Sequence, residues 1–525
     1  MRRLLAALLG TLFFQIAPAQ GWVADNGDGT YKNPVLYADY SDPDVIRQGD
    51  DYYMVASSFT CQPGVPVLHS KDLVNWTLIN HVYTSLPLER YKKPQHGQGS
   101  WAPSIRYHNG RFYVYFCTPE DGLFMASATD PGGKWDLHLV QNVANWEDPC
   151  PFWDEDGQAY LLRGKVGAGP AVLHKMSPDG KRLLDNGTVI FQDDKRQPVL
   201  EGFKFMEKRD GYYYFSAPAG GVPVGWQSVF RSKNIYGPYE DKVVLQQGKT
   251  PVNGPHQGGL VQTQKGEWWF LHFQDKDAYG RIVHLQPVRW KDGWPVMGVD
   301  EDGDGTGEPV LTYKKPDVGK VYPVTVPQTS DEFTASALGL QWQWHAAPQK
   351  DWYRLKDGTI RLQAVVAPTD GGSLFYAGNL LLQKFAAPAF TATTQLTLHA
   401  SLPGERAGLV TMGNYYTCLC LEKTAAGHRL VLYEGKREGR TYLPPRELLH
   451  QEVSATTATF KVQVYDNATC SYAYSLDGGA TFTHIGDRYK IEKGTWIGAK
   501  TGIFCLSPNL TGTRAFADFD YFRVK

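Results

Sequence analysis

A turn followed by an aromatic-rich apolar run recurs five times in the first part of the chain. The copies are GDDYYMVASS from Gly49, NGRFYVYFCT from Asn109, DGQAYLLRG from Asp156, DGYYYFSAP from Asp210 and KGEWWFLHF from Lys265. With Asp50, Gly110, Gly157, Gly211 and Gly266 taken as equivalent, the spacings are 60, 47, 54 and 55 residues. Three positions further on stand Tyr53, Tyr113, Tyr160, Tyr214 and Trp269. Turn residues beside β-branched and aromatic runs predict hairpins. Most copies continue into a third strand and another turn, as in VLHSKDLVNW and VFRSKNIYGPY. Several strands per unit and five units at a period near 50 residues predict a five-bladed β-propeller.

From Val321 the hairpin motif stops and a Pro-containing linker, GKVYPVTVP, leads into short alternating segments such as TIRLQAVV, TATTQLTLHA, TFKVQVYD and the final FADFDYFRVK. Strands at intervals of roughly ten residues with polar turns predict a β-sandwich. The chain therefore reads as all-β, with a propeller over residues 20–328 and a jelly-roll-like sandwich over 329–525. A length of 525 residues agrees with two cores rather than one.

Residues 1–19 do not fit either domain. Arg2 and Arg3 precede an apolar run over residues 4–16, and Ala17-Pro18-Ala19 satisfies the small-x-small cleavage pattern, which predicts a removed signal peptide and export to a periplasmic or extracellular compartment. No later apolar run is long enough to span a bilayer. Lys and Arg number 53 against 54 Asp and Glu, so no basic excess supports a nucleic-acid partner or an anionic membrane surface. Seven cysteines without CxxC or Cys/His spacing argue against zinc. Buried free thiols are expected, with one disulfide as the alternative.

In a propeller the strand before each hairpin turn is the innermost one. Stepping back eight to ten residues from each turn marker reaches Asp42, Trp101, Asp148, Glu201 and His256, in the segments DPDVIR, WAPSIR, DPCPFW, EGFKFM and HQGGLV. These side chains are expected to ring one mouth of the central channel. Gathering carboxylates there disfavours folding and raises their pKa values, so a chemical role is the stronger explanation. Glycoside hydrolysis needs one carboxylic acid to protonate the leaving oxygen and one carboxylate on the opposite face. In inverting enzymes the two stand ~6.5–9.5 Å apart to admit water. Blades one and four face each other, which makes Asp42 the expected general base and Glu201 the general acid, with Asp148 modulating the acid.

The segments NPVLYADYSDPDVIRQGDDYYMVASSF, WAPSIRYHNGRFYVYF, EDPCPFWDEDGQAYL, EGFKFMEKRDGYYYF and GRIVHLQPVRWKDGWP together resemble glycoside hydrolase family 43. The stretch from SDEFTASALGLQWQW to FDYFRVK is similar to the concanavalin-A-like domain appended to its β-xylosidase-type members. The resemblance implies inverting hydrolysis with the same three roles for Asp42, Asp148 and Glu201, and no required cofactor. It implies that Arg281 binds a sugar hydroxyl and that Trp101 and Phe59 line the substrate pocket, with His256, near the channel floor, counted among the substrate-binding residues. Phe203 departs from the proline that many members carry after Glu-Gly. The implied activity is exo-removal of a terminal α-L-arabinofuranose or β-D-xylose from a plant polysaccharide or oligosaccharide, because the appended sandwich tends to close one side of the pocket. The YADYSDPDVIR opening and GWQSVFRSKNIYGPY lie nearer to arabinofuranosidases. An endo-arabinanase-type hydrolase, a retaining transferase and a non-catalytic sugar-binding propeller are the competing readings.

Asp44 shares a strand face with Asp42 and is a further carboxylate candidate, whereas Asp39 reads as a turn residue. His256 is open between a hydrogen-bonded structural role and binding of an ion or water, and His272 and His284 read as core. Asp300, Asp302 and Asp304 match the start of a calcium loop whose twelfth position is Leu311 rather than Glu, with Glu308 as a substitute oxygen donor. Asp331, Glu332 and Asp518 form a second candidate for a structural calcium.

Overall fold

The computed structural model describes residues 21–367, 372–509 and 512–525, so the expected export segment lies outside it. Five four-stranded antiparallel sheets follow one another along the chain, each built from consecutive strands. The innermost strands are Asp44–Gln48, Trp101–His108, Trp146–Trp153, Lys204–Arg209 and His256–Gln262. Each pairs with the aromatic strand of the repeat: Asp51–Val55, Arg111–Thr118, Ala159–Lys165, Tyr212–Ala219 and Trp268–Asp275. The turns between them require left-handed backbone. Asn109-Gly110 and Asp210-Gly211 both hold φ above zero at two successive residues, as a two-residue type I′ hairpin demands. In the first blade the left-handed residue is Gly49 rather than Asp50. The recurring aromatics pack between blades: Tyr113, Tyr160, Tyr214 and Trp269 are all buried.

The ring closes through a clasp. Thr30–Lys32, before the first blade, pairs antiparallel with Thr312–Lys314, after the fifth. Leu36 also bridges Val283 of the last blade.

The remaining strands form a nine-stranded and a seven-stranded sheet that enclose one apolar core, including Leu409, Leu419, Phe460, Val462, Ile503 and Phe519. All seven cysteines are buried and unpaired. The sandwich is fastened to the propeller by backbone hydrogen bonds. Gln62 and Trp344 exchange N–H···O bonds of 2.9 and 2.5 Å, Ala347 N–H donates to Tyr91 O at 2.8 Å, and Ala499 N–H donates to Ala278 O at 2.7 Å. Ala278 and Tyr279, from the fifth blade, lie inside the sandwich core. Asp39 is no ordinary turn residue. Its Oδ1 accepts from Arg281 N–H and its Oδ2 from Gly498 N–H, so one carboxylate ties the first blade to the fifth and to the sandwich.

Candidate active site

At the start of each innermost strand one residue adopts a left-handed conformation: Asp42, Ala102, Asp148, Gly202 and Gln257, with φ of 54, 34, 55, 67 and 41°. In blades two, three and five the ladder register also slips at this point, which marks a β-bulge. This corrects the expected ring. Asp42 and Asp148 are the left-handed residues themselves, whereas Trp101, Glu201 and His256 each stand one position earlier. In the third blade that earlier position is Glu147.

The starts of these strands surround a pocket of about 380 Å3, whose walls include Asp42, Trp101, Glu147, Asp148, Glu201 and Arg281. Phe59 also lines it, its ring 5.6 Å from that of Trp101 in an edge-on contact. His256 does not reach the pocket. It is fully buried, and its Nε2 lies 2.7 Å from Glu201 Oε1, so it supports a carboxylate from behind rather than touching a sugar. His272 and His284 are core residues whose rings stack at 5.4 Å.

Each carboxylate has its own surroundings. Asp42 accepts from Ser41 and Ser57 hydroxyls on Oδ2, at 2.7 and 2.6 Å, and from Arg281 Nη1 on Oδ1 at 2.8 Å. All three partners donate, which suits an acceptor-only carboxylate held in one orientation. Asp148 Oδ2 accepts from Gly202 N–H at 2.6 Å, fixing the peptide that follows Glu201. Gly202 cannot be replaced freely, since a Cβ there would stand 2.8 Å from Gln257 and Pro218. Phe203, at the position expected to vary, is buried against Gly164 and leaves this arrangement intact.

Burial, followed by repulsion from Asp148 and Glu201, pushes Glu147 up to about 10. Burial and then the charge of Glu201 push Asp148 to about 7, against the Gly202 N–H and the Lys204 ammonium. Burial acts on Glu201 in the same sense, but the hydrogen bond and charge of His256 and the charge of Arg281 outweigh it, and Glu201 lies below the ordinary glutamate range. Three adjoining carboxyls do not all ionise together: at neutral pH Glu147 keeps its proton, while Asp148, at about 7, is divided between its charged and neutral forms.

Of the lining residues that the sequence did not single out, Glu147 and Trp496 bear most on the chemistry. Glu147 is 4% exposed, and its Oε1 has no hydrogen-bond partner. Its signal was its place immediately before Asp148, matching Trp101, Glu201 and His256 in their blades. Trp496 comes from the sandwich. It stands 5.9 Å from Trp101 edge-on, with a left-handed φ of 64°, and nothing in the local sequence distinguishes it from a loop tryptophan.

The other candidates have partners elsewhere. Asp44 accepts from Arg106 Nη1 at 2.6 Å and from Ile105 N–H at 2.9 Å, so it joins blades one and two. Asp518 forms a two-point ion pair with Arg361, Glu332 pairs with Arg523, and Asp331 accepts from Trp342 Nε1, so this trio does not converge on a metal. Asp300, Asp302 and Asp304 do converge, within 4.8 Å of one another, and are the only such group among the described residues. Their oxygens cap backbone N–H groups of their own loop, while Glu308 instead accepts from Lys249 N–H.

Residues 31–295 match the family described as glycosyl hydrolases family 43, and residues 330–525 match the β-xylosidase C-terminal concanavalin A-like domain. A putative β-xylosidase of Xylanibacter ruminicola is 45% identical over 94% of this chain and 89% of its own length. A non-reducing end α-L-arabinofuranosidase of Bacteroides ovatus is 28% identical over 99% of this chain and 98% of its own. The crystal structure of a GH43 protein from Bacillus licheniformis superposes with a TM-score of 0.81 at 27% identity, covering 94% of this chain and 99% of that one. With its pocket carboxylates at the starts of the innermost propeller strands and its appended sandwich, this chain belongs to glycoside hydrolase family 43.

Proposed function

We propose that the protein is an exported, inverting exo-glycosidase that removes a terminal pentose from plant-derived oligosaccharides or polysaccharides. The observation that carries this reading is the convergence of Asp42, Asp148 and Glu201 on one pocket bounded by a sandwich residue, Trp496. At about 380 Å3 the pocket lies near the low end of the ~300–1,000 Å3 range of ligand sites, which favours a chain end over a polymer lying across the site.

Asp42 takes a proton from water as that water attacks the anomeric carbon. Glu201 gives its proton to the departing glycosidic oxygen, and the products leave with one water consumed. Inversion follows because the attacking water and the leaving group occupy opposite faces of the ring. Asp148 orients Glu201 through Gly202 and opposes its ionisation by charge. A bound sugar displaces water from Glu201 and favours its protonated form, with the adjoining carboxyls as the local proton store. Arg281 both fixes Asp42 and presents its remaining N–H groups to the pocket. The acidic loop at residues 300–304 is a structural calcium candidate that this chemistry does not use.

For the sugar itself, two relatives at 45 and 34% identity carry β-xylosidase names, which favours β-D-xylose over α-L-arabinofuranose. Paired assays on aryl β-D-xyloside and aryl α-L-arabinofuranoside, with proton NMR of the first-formed anomer, test both parts. Faster turnover of the xyloside with inversion is expected. Retention of configuration would refute the mechanism, and a preference for arabinofuranoside would reverse the sugar assignment.

A further inference from the structure

A second cluster of buried like charges lies at the junction of the two domains. Lys384 and Lys500 are directly opposite each other on adjacent antiparallel strands, Leu381–Lys384 and Lys500–Ser507. Like charges in this relation destabilise a sheet. Among the described residues neither lysine forms an ion pair. Lys500 Nζ donates to Gln343 Oε1 at 3.0 Å, and Lys384 Nζ stands 5.1 Å from the Tyr40 ring centre. Asp39, the nearby acid, is already engaged by two backbone N–H groups. Burial, then the charge of Lys500, pulls Lys384 down to about 7.

Lys384 borders a pocket of about 40 Å3 between propeller and sandwich, with His81, Gln341 and Gln383 also in its walls. His81 Nδ1 and Gln383 Nε2 are buried there without partners, in side chains only 8 and 3% exposed. A water needs ~10–15 Å3, so the space admits a chloride-sized ion with a water beside it. Gln341 Oε1, an acceptor also lacking a partner, would receive a hydrogen from that water. An orphaned ammonium and two orphaned nitrogens around one hollow call for negative charge.

We propose that this junction pocket binds a small monovalent anion of chloride size, held by Lys384, Gln383 and the Nδ1–H of His81, and that the anion fastens the sandwich to the propeller. Thermal unfolding of the full chain in sodium chloride or bromide, compared with sodium gluconate at equal ionic strength, provides the test. The midpoint is expected to rise saturably by about 2 °C in either halide, since a ligand specific for the folded state stabilises it. Lys384→Met should abolish that difference. An identical halide response in both proteins would overturn the proposal. Crystals of the unaltered protein soaked in bromide give an independent reading should the variant fail to fold: an anomalous peak beside Lys384 supports the site, and an empty pocket at saturating bromide refutes it.

Discussion

The molecule buries two groups of like charge and resolves them differently. In the propeller mouth Glu147, Asp148 and Glu201 adjoin one another, yet Asp148 receives the Gly202 N–H and Glu201 receives His256 and the field of Arg281. Their repulsion is answered from within the chain, by retained protons and by donors on neighbouring blades. At the domain junction Lys384 and Lys500 have a carbonyl-type acceptor and an aromatic face but no ion pair, the nearby Asp39 being engaged by backbone N–H groups. The first cluster is complete and needs only substrate. The second sets two lysines against one nearby carboxylate, Asp39, with which neither forms an ion pair among the described residues. Internally compensated crowding is what a proton-transfer site requires, whereas uncompensated crowding points to a missing ligand.

If that contrast holds, damage to the first cluster costs turnover far more than folding. The largest effect is expected from Asp42→Asn, which keeps the side-chain shape but removes the base. Turnover of natural and aryl glycosides should both fall by ~10⁴-fold, with the thermal midpoint little changed. Partial recovery with azide, giving an inverted glycosyl azide, would identify the lost group as the base. Unimpaired turnover would remove Asp42 from the role.

Glu201→Gln should discriminate between leaving groups. A natural xyloside needs protonation at its departing oxygen and should lose ~10³-fold, whereas an aryl glycoside with an acidic phenol should lose less than ~10-fold. Equal losses would dissociate Glu201 from proton donation. Asp148→Asn acts on the same proton more gently. Removing its charge favours ionisation of Glu201, so the alkaline limb of the kcat profile should move to lower pH, by about one unit. A shift to higher pH contradicts the assigned direction. Trp496→Ala removes the sandwich wall and should raise KM by ~10-fold while changing kcat less, because its ring borders the pocket without touching a carboxylate of the cluster.

Much of this arrangement was legible in the sequence, for reasons that also explain what was not. Turn residues and aromatic runs recur because every blade solves one packing problem, so blade count and order follow from local pattern. Asp42, Asp148, Glu201, Trp101, Phe59 and Arg281 do meet in one pocket. The bulges were invisible, since a one-residue slip leaves the composition of a strand unchanged while deciding which side chain enters the channel. Hence His256 was placed with the substrate and Glu147 overlooked. Asp39 and Trp496 depend on how two domains dock, which no periodicity within either domain encodes. Lys384 and Lys500 likewise read as ordinary strand residues until register sets them face to face.

Glu147→Gln gives the smallest expected change in rate and the sharpest test of how the carboxylate cluster is tolerated. With Glu147 held protonated up to about 10, the amide replaces a neutral group of nearly the same shape, and kcat at pH 7 should stay within a few-fold. Stability should respond differently. In the unfolded chain this glutamate ionises near ~4.3, while in the folded protein it keeps its proton far above that value. The folded state therefore binds the extra proton, and stability from this group is present below pH ~4 and is lost progressively as pH rises toward 10. Glutamine removes that dependence. The thermal midpoint of Glu147→Gln minus that of the unaltered protein should grow steadily from pH 5 to pH 9. A difference that is flat with pH would mean that Glu147 ionises normally, and that the crowded carboxylates are relieved by a route other than the retained proton.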